Sequence, residues 1–269
     1  MTSKEEGKSS RENDISGNVF SRLRFFNSGM GVLHLVQGIA VLLLSSNFSL
    51  PVTTSYLQFV PATTSLEQNL NMLGQLRIGP MVAVFFFLSA FAHFFVSTVG
   101  FKTYKRDLKN SLNRFRWYEY SLSASLMIVI IAMLTGVYDL SALILIFFVN
   151  AAMILFGMAM ELYSKPGKSA DWRPFIYGSI MGIMPWVIIA LHLFGAEATA
   201  ETSIPTFVYA IFGSLFVFFN IFAVNMVLQY KKVGKWEDYL FGERVYILLS
   251  LVAKSLLAWQ VFAGTLRPM

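Results

Sequence analysis

Long apolar runs separated by short polar segments dominate the chain. A helix that crosses the hydrocarbon core of a bilayer needs about 20 mostly apolar residues. Runs of this length are longer than ordinary strands, so each of them predicts a helix. The predicted spans cover residues 27–46, 78–100, 115–135, 140–161, 174–194, 205–229 and 243–265. The pattern therefore predicts an all-α membrane protein with seven transmembrane helices.

The segments outside the spans differ in character. Residues 1–20 form a polar tail that is rich in Ser, Glu and Lys, and it is predicted to be a disordered cytoplasmic segment. The membrane domain then covers residues 21–269. Within it, the extracellular loop of residues 47–76 contains a β-prone stretch between Pro51 and Pro61, which predicts a short β-hairpin.

Composition excludes most soluble classes of protein. Only 13% of the residues are charged and 56% are hydrophobic, whereas a soluble domain has about 25% charged residues. The chain contains no cysteine, so it has neither disulfides nor thiolate metal sites. A net charge of +6 in a soluble protein would suggest nucleic acid. Here basic loops beside a lipid bilayer explain the charge better, and no nucleic-acid partner is expected.

The basic residues predict the orientation in the membrane. All but three of the 21 Lys and Arg residues lie in the tail, in the loops after spans 2, 4 and 6, or at the span ends beside them. The exceptions are Arg77 and Arg267 on the opposite side and Lys254 inside span 7. Because basic loops stay in the cytoplasm, we expect a plasma-membrane protein with its N-terminus inside and its C-terminus outside. This is the reverse of the arrangement in most seven-helix receptors.

Lys254 lies deep inside span 7. It follows Arg244 by ten residues, which corresponds to about 15 Å along a helix and places it near the bilayer centre. Charged groups at that depth are costly and usually functional. One interpretation is a reactive amine in an apolar pocket that forms a Schiff base with a carbonyl compound. The other is a structural ion pair between helices, and position alone leaves both open.

Glu119 in span 3 is the only acidic residue that lies well inside a predicted span. A buried positive charge requires an opposite charge nearby, because an unpaired ion in hydrocarbon costs several kcal/mol. Glu119 could therefore be the partner of Lys254. It could also pair with Arg114 or Arg116 at the membrane interface.

Several neutral polar residues reach a similar depth. His34, Gln37, His93, Ser89 and Ser250 lie in the cytoplasmic halves of spans 1, 2 and 7. Together they predict a polar pocket around Glu119 that can hold water or a proton. Each histidine could instead be an ordinary core residue, and a metal site is not expected from histidines so scattered.

Two charged segments carry a resemblance to a known family. SLVAKSLLAWQVFAGTL at residues 250–266 resembles the retinal-lysine segment of heliorhodopsins, and RWYEYSLSASLM at residues 116–127 resembles their counterion segment. FVNAAMILFG (148–157), GIMPWV (182–187), HLVQ (34–37) and LSAFAHFF (88–95) agree with the same family but are less specific. The resemblance covers nearly the whole chain after residue 20.

The resemblance implies a binding site and a function. Lys254 would carry all-trans retinal as a protonated Schiff base, with Glu119 as counterion and His34, His93, Ser89 and Ser250 as the cytoplasmic-side pocket. It also suggests these neighbours of the chromophore: Tyr120, Asn150, Met153, Trp186 and Phe218. Heliorhodopsins are homodimeric photoreceptors, and most do not pump ions. We therefore expect that the chain is not an enzyme and that it signals to a cytoplasmic partner.

Three functions stay open from the sequence. The first is a light sensor, and the second is a light-driven pump or light-gated channel for protons or other ions. A pump needs protonatable groups on both sides of Lys254, whereas the acidic residues on the outer side, Asp139, Glu197 and Glu201, are in loops. The third is a receptor or transporter without a chromophore that uses Lys254 and Glu119 as a structural pair.

Overall fold

The structure is a computed structural model that describes residues 3–164, 169–199 and 204–265, with side chains from Asn18 onward except at residues 199 and 265. Eight α-helices, one hairpin and a short 3₁₀ helix (Gly234–Glu237) form the regular structure of these parts of the chain. The helices are α1 (Ser3–Leu44), α2 (Ile78–Ser97), α3 (Phe101–Lys109), α4 (Arg114–Leu134), α5 (Leu140–Tyr163), α6 (Arg173–Thr199), α7 (Thr206–Tyr230) and α8 (Tyr239–Thr265). The strands are β1 (Ser49–Val60) and β2 (Ser65–Arg77).

Seven of these helices are long and apolar enough to cross a membrane, which confirms the predicted number of spans. They are all of the described helices except α3. Apolar packing of the first span begins before the predicted residue 27, because Phe20 and Leu23 bury their side chains against Tyr104 and Leu108 of α3.

The predicted polar tail is helical from Ser3 onward in the structure. Helical backbone of α1 begins at Ser3, and Phe20, which the sequence analysis places in the tail, packs in the core. The boundary at residue 20 therefore does not coincide with the start of α1. Side chains of residues 1–17 lie outside the described set, and disorder of that segment stays a prediction.

The predicted hairpin is confirmed, and it is longer than expected. Strands β1 and β2 pair antiparallel from Ser49 opposite Arg77 to Val60 opposite Ser65. A bulge interrupts the register between Val52 and Thr53. The backbone N–H of Thr53 donates to the carbonyl oxygen of Tyr138 at 2.9 Å, so the bulge attaches the hairpin to the turn between α4 and α5.

Helix α3 is a short amphipathic helix that the span pattern does not reveal. Its apolar face buries Tyr104 and Leu108 against α1, while Lys102, Arg106 and Lys109 are exposed. Burial raises the pKa of the Tyr104 phenol to about 12. The tyrosine therefore stays neutral at physiological pH, and its oxygen accepts a bond from Asn27 Nδ2 at 3.4 Å.

Helix α4 is the most buried of the seven spans. It packs between α2 and α5, and its second half contributes the fully buried Ile128, Ile130, Ile131 and Met133 to the main core. Helix α5 approaches α4 closely at Gly157, where a Cβ atom would collide with the ring of Trp117. Helix α8 packs against α7 and α1, which brings its inner face opposite α4.

Candidate functional site

Lys254 forms an ion pair across the bundle between α8 and α4. Its side chain is 3% exposed, and Nζ donates to Glu119 Oε1 at 3.0 Å. Nζ also donates to Ser250 Oγ at 2.8 Å. Ser250 is four residues before Lys254, so the two side chains share one face of α8. The fold therefore holds this buried cation against one carboxylate and one hydroxyl.

Glu119 does not pair with the nearby arginines. Arg114 makes two bonds to Asp107, at 2.9 and 2.8 Å, and Arg116 pairs with Glu161 and Glu243. Glu119 instead accepts a hydrogen bond from Ser89 Oγ at 2.6 Å in addition to the one from Lys254. Of the two partners that the sequence leaves open for Glu119, the structure shows the lysine.

The two histidines lie next to each other between α1 and α2. The rings of His34 and His93 stack with centroids 5.4 Å apart, and His93 Nδ1 bonds to Asn27 Oδ1 at 2.9 Å. A cavity of about 40 Å³ is lined by Asn27, His93 and Glu119 among other residues. A polar cavity of this size has room for water. The structure thus brings His93, Ser89 and Ser250 into one polar region with Glu119, and His34 joins it by stacking on His93.

Gln37 has a different environment from the one predicted. Its Oε1 accepts a hydrogen bond from Trp259 Nε1 at 3.2 Å, in a partly exposed position between α1 and α8. The described contacts do not connect it with Glu119. The predicted depth of Gln37 suggested that it lines the pocket around Glu119. Its amide oxygen instead accepts a hydrogen bond from the indole N–H of Trp259 on α8.

An apolar cavity of about 210 Å³ adjoins the ion pair. Lys254 and Ser250 lie in its wall, and most of the remaining wall is aromatic or aliphatic. Three of the five predicted chromophore neighbours, Tyr120, Met153 and Trp186, line this cavity. Wall residues that were not predicted include Trp117, Phe216, Phe219, Phe222 and Tyr246.

The other two predicted neighbours do not line the cavity. Asn150 donates from Nδ2 to Ser125 Oγ at 3.0 Å, and Phe218 packs against the apolar core. Phe216 and Phe219, three residues apart on α7, line the cavity instead. Because α7 is apolar on all sides, the sequence carries no signal that favours them over Phe218.

Glu243 is a buried acidic residue that the sequence analysis missed. It is the first residue of the predicted span 243–265, where a carboxylate is expected at the interface. In the structure it is fully buried beside Arg116. Its spacing to Ile247, Ser250 and Lys254 is four, seven and eleven residues, which places all four on one face of α8. That spacing was the available signal.

The cavity residues fit a conjugated aldehyde. An amine at the wall of an apolar cavity can bind a carbonyl compound covalently, the aromatic residues can enclose a flat polyene, and the carboxylate can balance the charge of a protonated linkage. Seven apolar helices around a cavity of this kind are the arrangement expected of a retinal-binding membrane protein. The family model described as heliorhodopsin matches residues 23–266.

The chain therefore belongs to the heliorhodopsin family. Membership implies a retinal-binding rhodopsin photoreceptor that is embedded in a lipid bilayer. No curated protein matches the chain.

Proposed function

We propose that this protein is a light sensor that holds all-trans retinal on Lys254 as a protonated Schiff base, with Glu119 as its counterion. One observation supports this most directly. Lys254 lies in the wall of the apolar cavity, and its buried Nζ is 3.0 Å from Glu119 Oε1. Bound retinal supplies the absorption of visible light and the isomerisation of a polyene.

The side chains around the nitrogen determine where its proton can go. Glu119 stabilises a positive charge on the Lys254 nitrogen, and Ser250 accepts a hydrogen bond from it. Ser89 donates to Glu119 from the α2 side, where the small polar cavity extends to His93 and Asn27. A proton that leaves the lysine nitrogen therefore has polar partners towards the N-terminal end of α4.

This sidedness supports signalling without pumping. With the N-terminus in the cytoplasm, as the basic residues predict, the N-terminal end of α4 is cytoplasmic. Towards the opposite end, the described acidic residues Glu67, Asp139 and Glu197 are exposed or half-exposed. A proton would return from the same side, and the change of charge would alter the cytoplasmic ends of the helices. A homodimer and a cytoplasmic signalling partner are part of the proposal on the basis of the family.

The attachment is tested by producing the protein with all-trans retinal and recording its visible spectrum. Reduction with borohydride, digestion and mass spectrometry should then find the retinyl group on the peptide that contains Lys254. A retinyl group on another lysine, or no visible absorbance in folded protein, would contradict the assignment.

Transport is tested in intact cells under illumination, with Lys254→Ala as the control. The proposal expects no sustained external pH change and no photocurrent. An uncoupler-sensitive acidification that disappears in Lys254→Ala would favour a pump. A photocurrent that follows the transmembrane voltage would favour a channel.

A further inference from the structure

A second buried ionic cluster lies between the ends of α4, α5 and α8. Arg116 of α4 pairs with Glu161 of α5 and with Glu243 of α8. The three side chains are at most 4% exposed. Within the described residues, Arg116 is the only cation that pairs with these two carboxyl groups. The cluster therefore holds one positive charge and two acidic groups.

The hydrogen bonds of the two carboxyl groups are unequal. Besides Arg116, Glu161 accepts from the Asn113 backbone N–H at 2.9 Å, from Trp117 Nε1 at 2.7 Å and from the Tyr239 hydroxyl at 3.2 Å. Glu243 accepts from Arg116 and from Asn113 Nδ2 at 2.7 Å. Donors stabilise the ionised form of a carboxyl group, so Glu161 is the better site for the negative charge.

The positive charge of Arg116 is already well balanced. Its guanidinium lies 4.4 Å from the ring centre of Trp117 and 4.0 Å from that of Tyr246, and aromatic faces stabilise cations. Besides the ionic groups, the titratable side chains around the cluster in the described part of the chain are tyrosines. They are Tyr104 of α3, Tyr120 of α4, Tyr230 of α7, and Tyr239 and Tyr246 of α8. Tyrosines add no positive charge. A second carboxylate would therefore be a buried charge without a cation of its own, and such groups usually bind a proton instead.

We propose that Glu243 is a second buried proton-binding site and carries a proton in the dark protein. Glu243 shares a face of α8 with Lys254. Its two hydrogen-bond donors, Asn113 and Arg116, line the small polar cavity that Glu119 also lines. The site itself does not depend on retinal. Its use as the cytoplasmic-side proton store of the photoreceptor rests on the proposed function.

Infrared spectroscopy of the retinal-free protein in membranes tests the protonation. A protonated carboxyl group gives a C=O band that is separate from the amide bands and moves in D₂O. We expect this band in the wild type, its loss in Glu243→Gln and a changed frequency in Glu243→Asp. Glu119→Gln is the matched control and should keep the band. Absence of the band in the wild type, or its persistence unchanged in Glu243→Gln, would overturn the proposal.

Thermal stability decides which of the two acids holds the proton. Glutamine has nearly the shape of a neutral glutamic acid, although its N–H₂ group would face one donor at this position, Arg116 or Asn113 Nδ2. Glu243→Gln should therefore lower the melting temperature only slightly. Glu161→Gln should lower it much more, because it also removes the negative charge that balances Arg116 and turns an N–H₂ group towards donors on either side. The reverse order, or failure of Glu243→Gln to fold, would refute the assignment to Glu243. Because both measurements use retinal-free protein, their outcome is independent of whether the light-sensor proposal is correct.

Discussion

The ion pair between Lys254 and Glu119 should be strongly coupled in the retinal-free protein. Two unit charges 3.0 Å apart attract each other by roughly 5–6 kcal/mol at an effective dielectric constant of about 20. Removing one member of such a buried pair typically costs about 3–5 kcal/mol, because the remaining charge stays buried, whereas replacing both members is close to neutral. We therefore expect Lys254→Met and Glu119→Gln each to lower the free energy of unfolding by about 3–5 kcal/mol.

The double variant Lys254→Met/Glu119→Gln should be much more stable than the sum of the single effects predicts, by roughly 3 kcal/mol or more. Unfolding in mixed micelles with increasing denaturing detergent, followed by circular dichroism, gives the four free energies. Arg114→Met combined with Glu119→Gln is the matched control, because Arg114 bonds to Asp107, and its effects should add. If the effects of Lys254→Met and Glu119→Gln also add, the two side chains do not form a pair and the counterion assignment loses its basis.

Four further results are expected. Lys254→Ala should give folded protein without visible absorbance after addition of retinal, and a covalent visible pigment would contradict the assignment. Glu119→Gln should shift the absorbance maximum to longer wavelength or leave the linkage unprotonated near neutral pH; an unchanged spectrum and titration would move the counterion role elsewhere. Gly157→Ala should lower the free energy of unfolding by about 1–2 kcal/mol. Overpacking against the Trp117 ring costs about 1–3 kcal/mol, and the better helix propensity of alanine offsets up to about 1 kcal/mol of this. A stabilised variant would show that the Trp117 ring moves aside freely. In intact cells a tag after the last residue should react with an impermeant reagent and an N-terminal tag should not, and opposite labelling would reverse the orientation.

The spans and the hairpin were predictable because their signals are strong and local. A run of about 20 apolar residues has no stable place in water, and prolines bound the β-prone stretch between Pro51 and Pro61. The amphipathic helix α3 was missed because it is short and polar overall. Its signal is the pair Tyr104 and Leu108 at a spacing of four residues, beside exposed basic residues.

The charged centre of the site was predictable for an energetic reason. A lysine at the bilayer centre needs a partner, and Glu119 was the deepest acidic residue available. The cavity wall was harder to predict, because a helix that is apolar on all sides does not reveal which face points inward. Phe218 was therefore chosen where Phe216 and Phe219 line the cavity. Likewise, the depth of Gln37 does not reveal that Trp259 is its partner.

The distribution of polar groups within the bundle supports a sensor over a pump. The ionic pair, the histidines and the cluster around Arg116 all lie towards one end of α4. Beyond Glu119, the same helix continues into Ile128, Ile130, Ile131 and Met133, which are fully buried and packed against apolar neighbours. Such a layer offers a proton no partner, and an unpaired charge within it would cost several kcal/mol. Under the proposed function, a proton released from the Lys254 nitrogen would find its titratable partners towards the N-terminal end of α4. It would then change the charge at one set of helix ends without net transfer across the membrane, as the proposed light sensor requires.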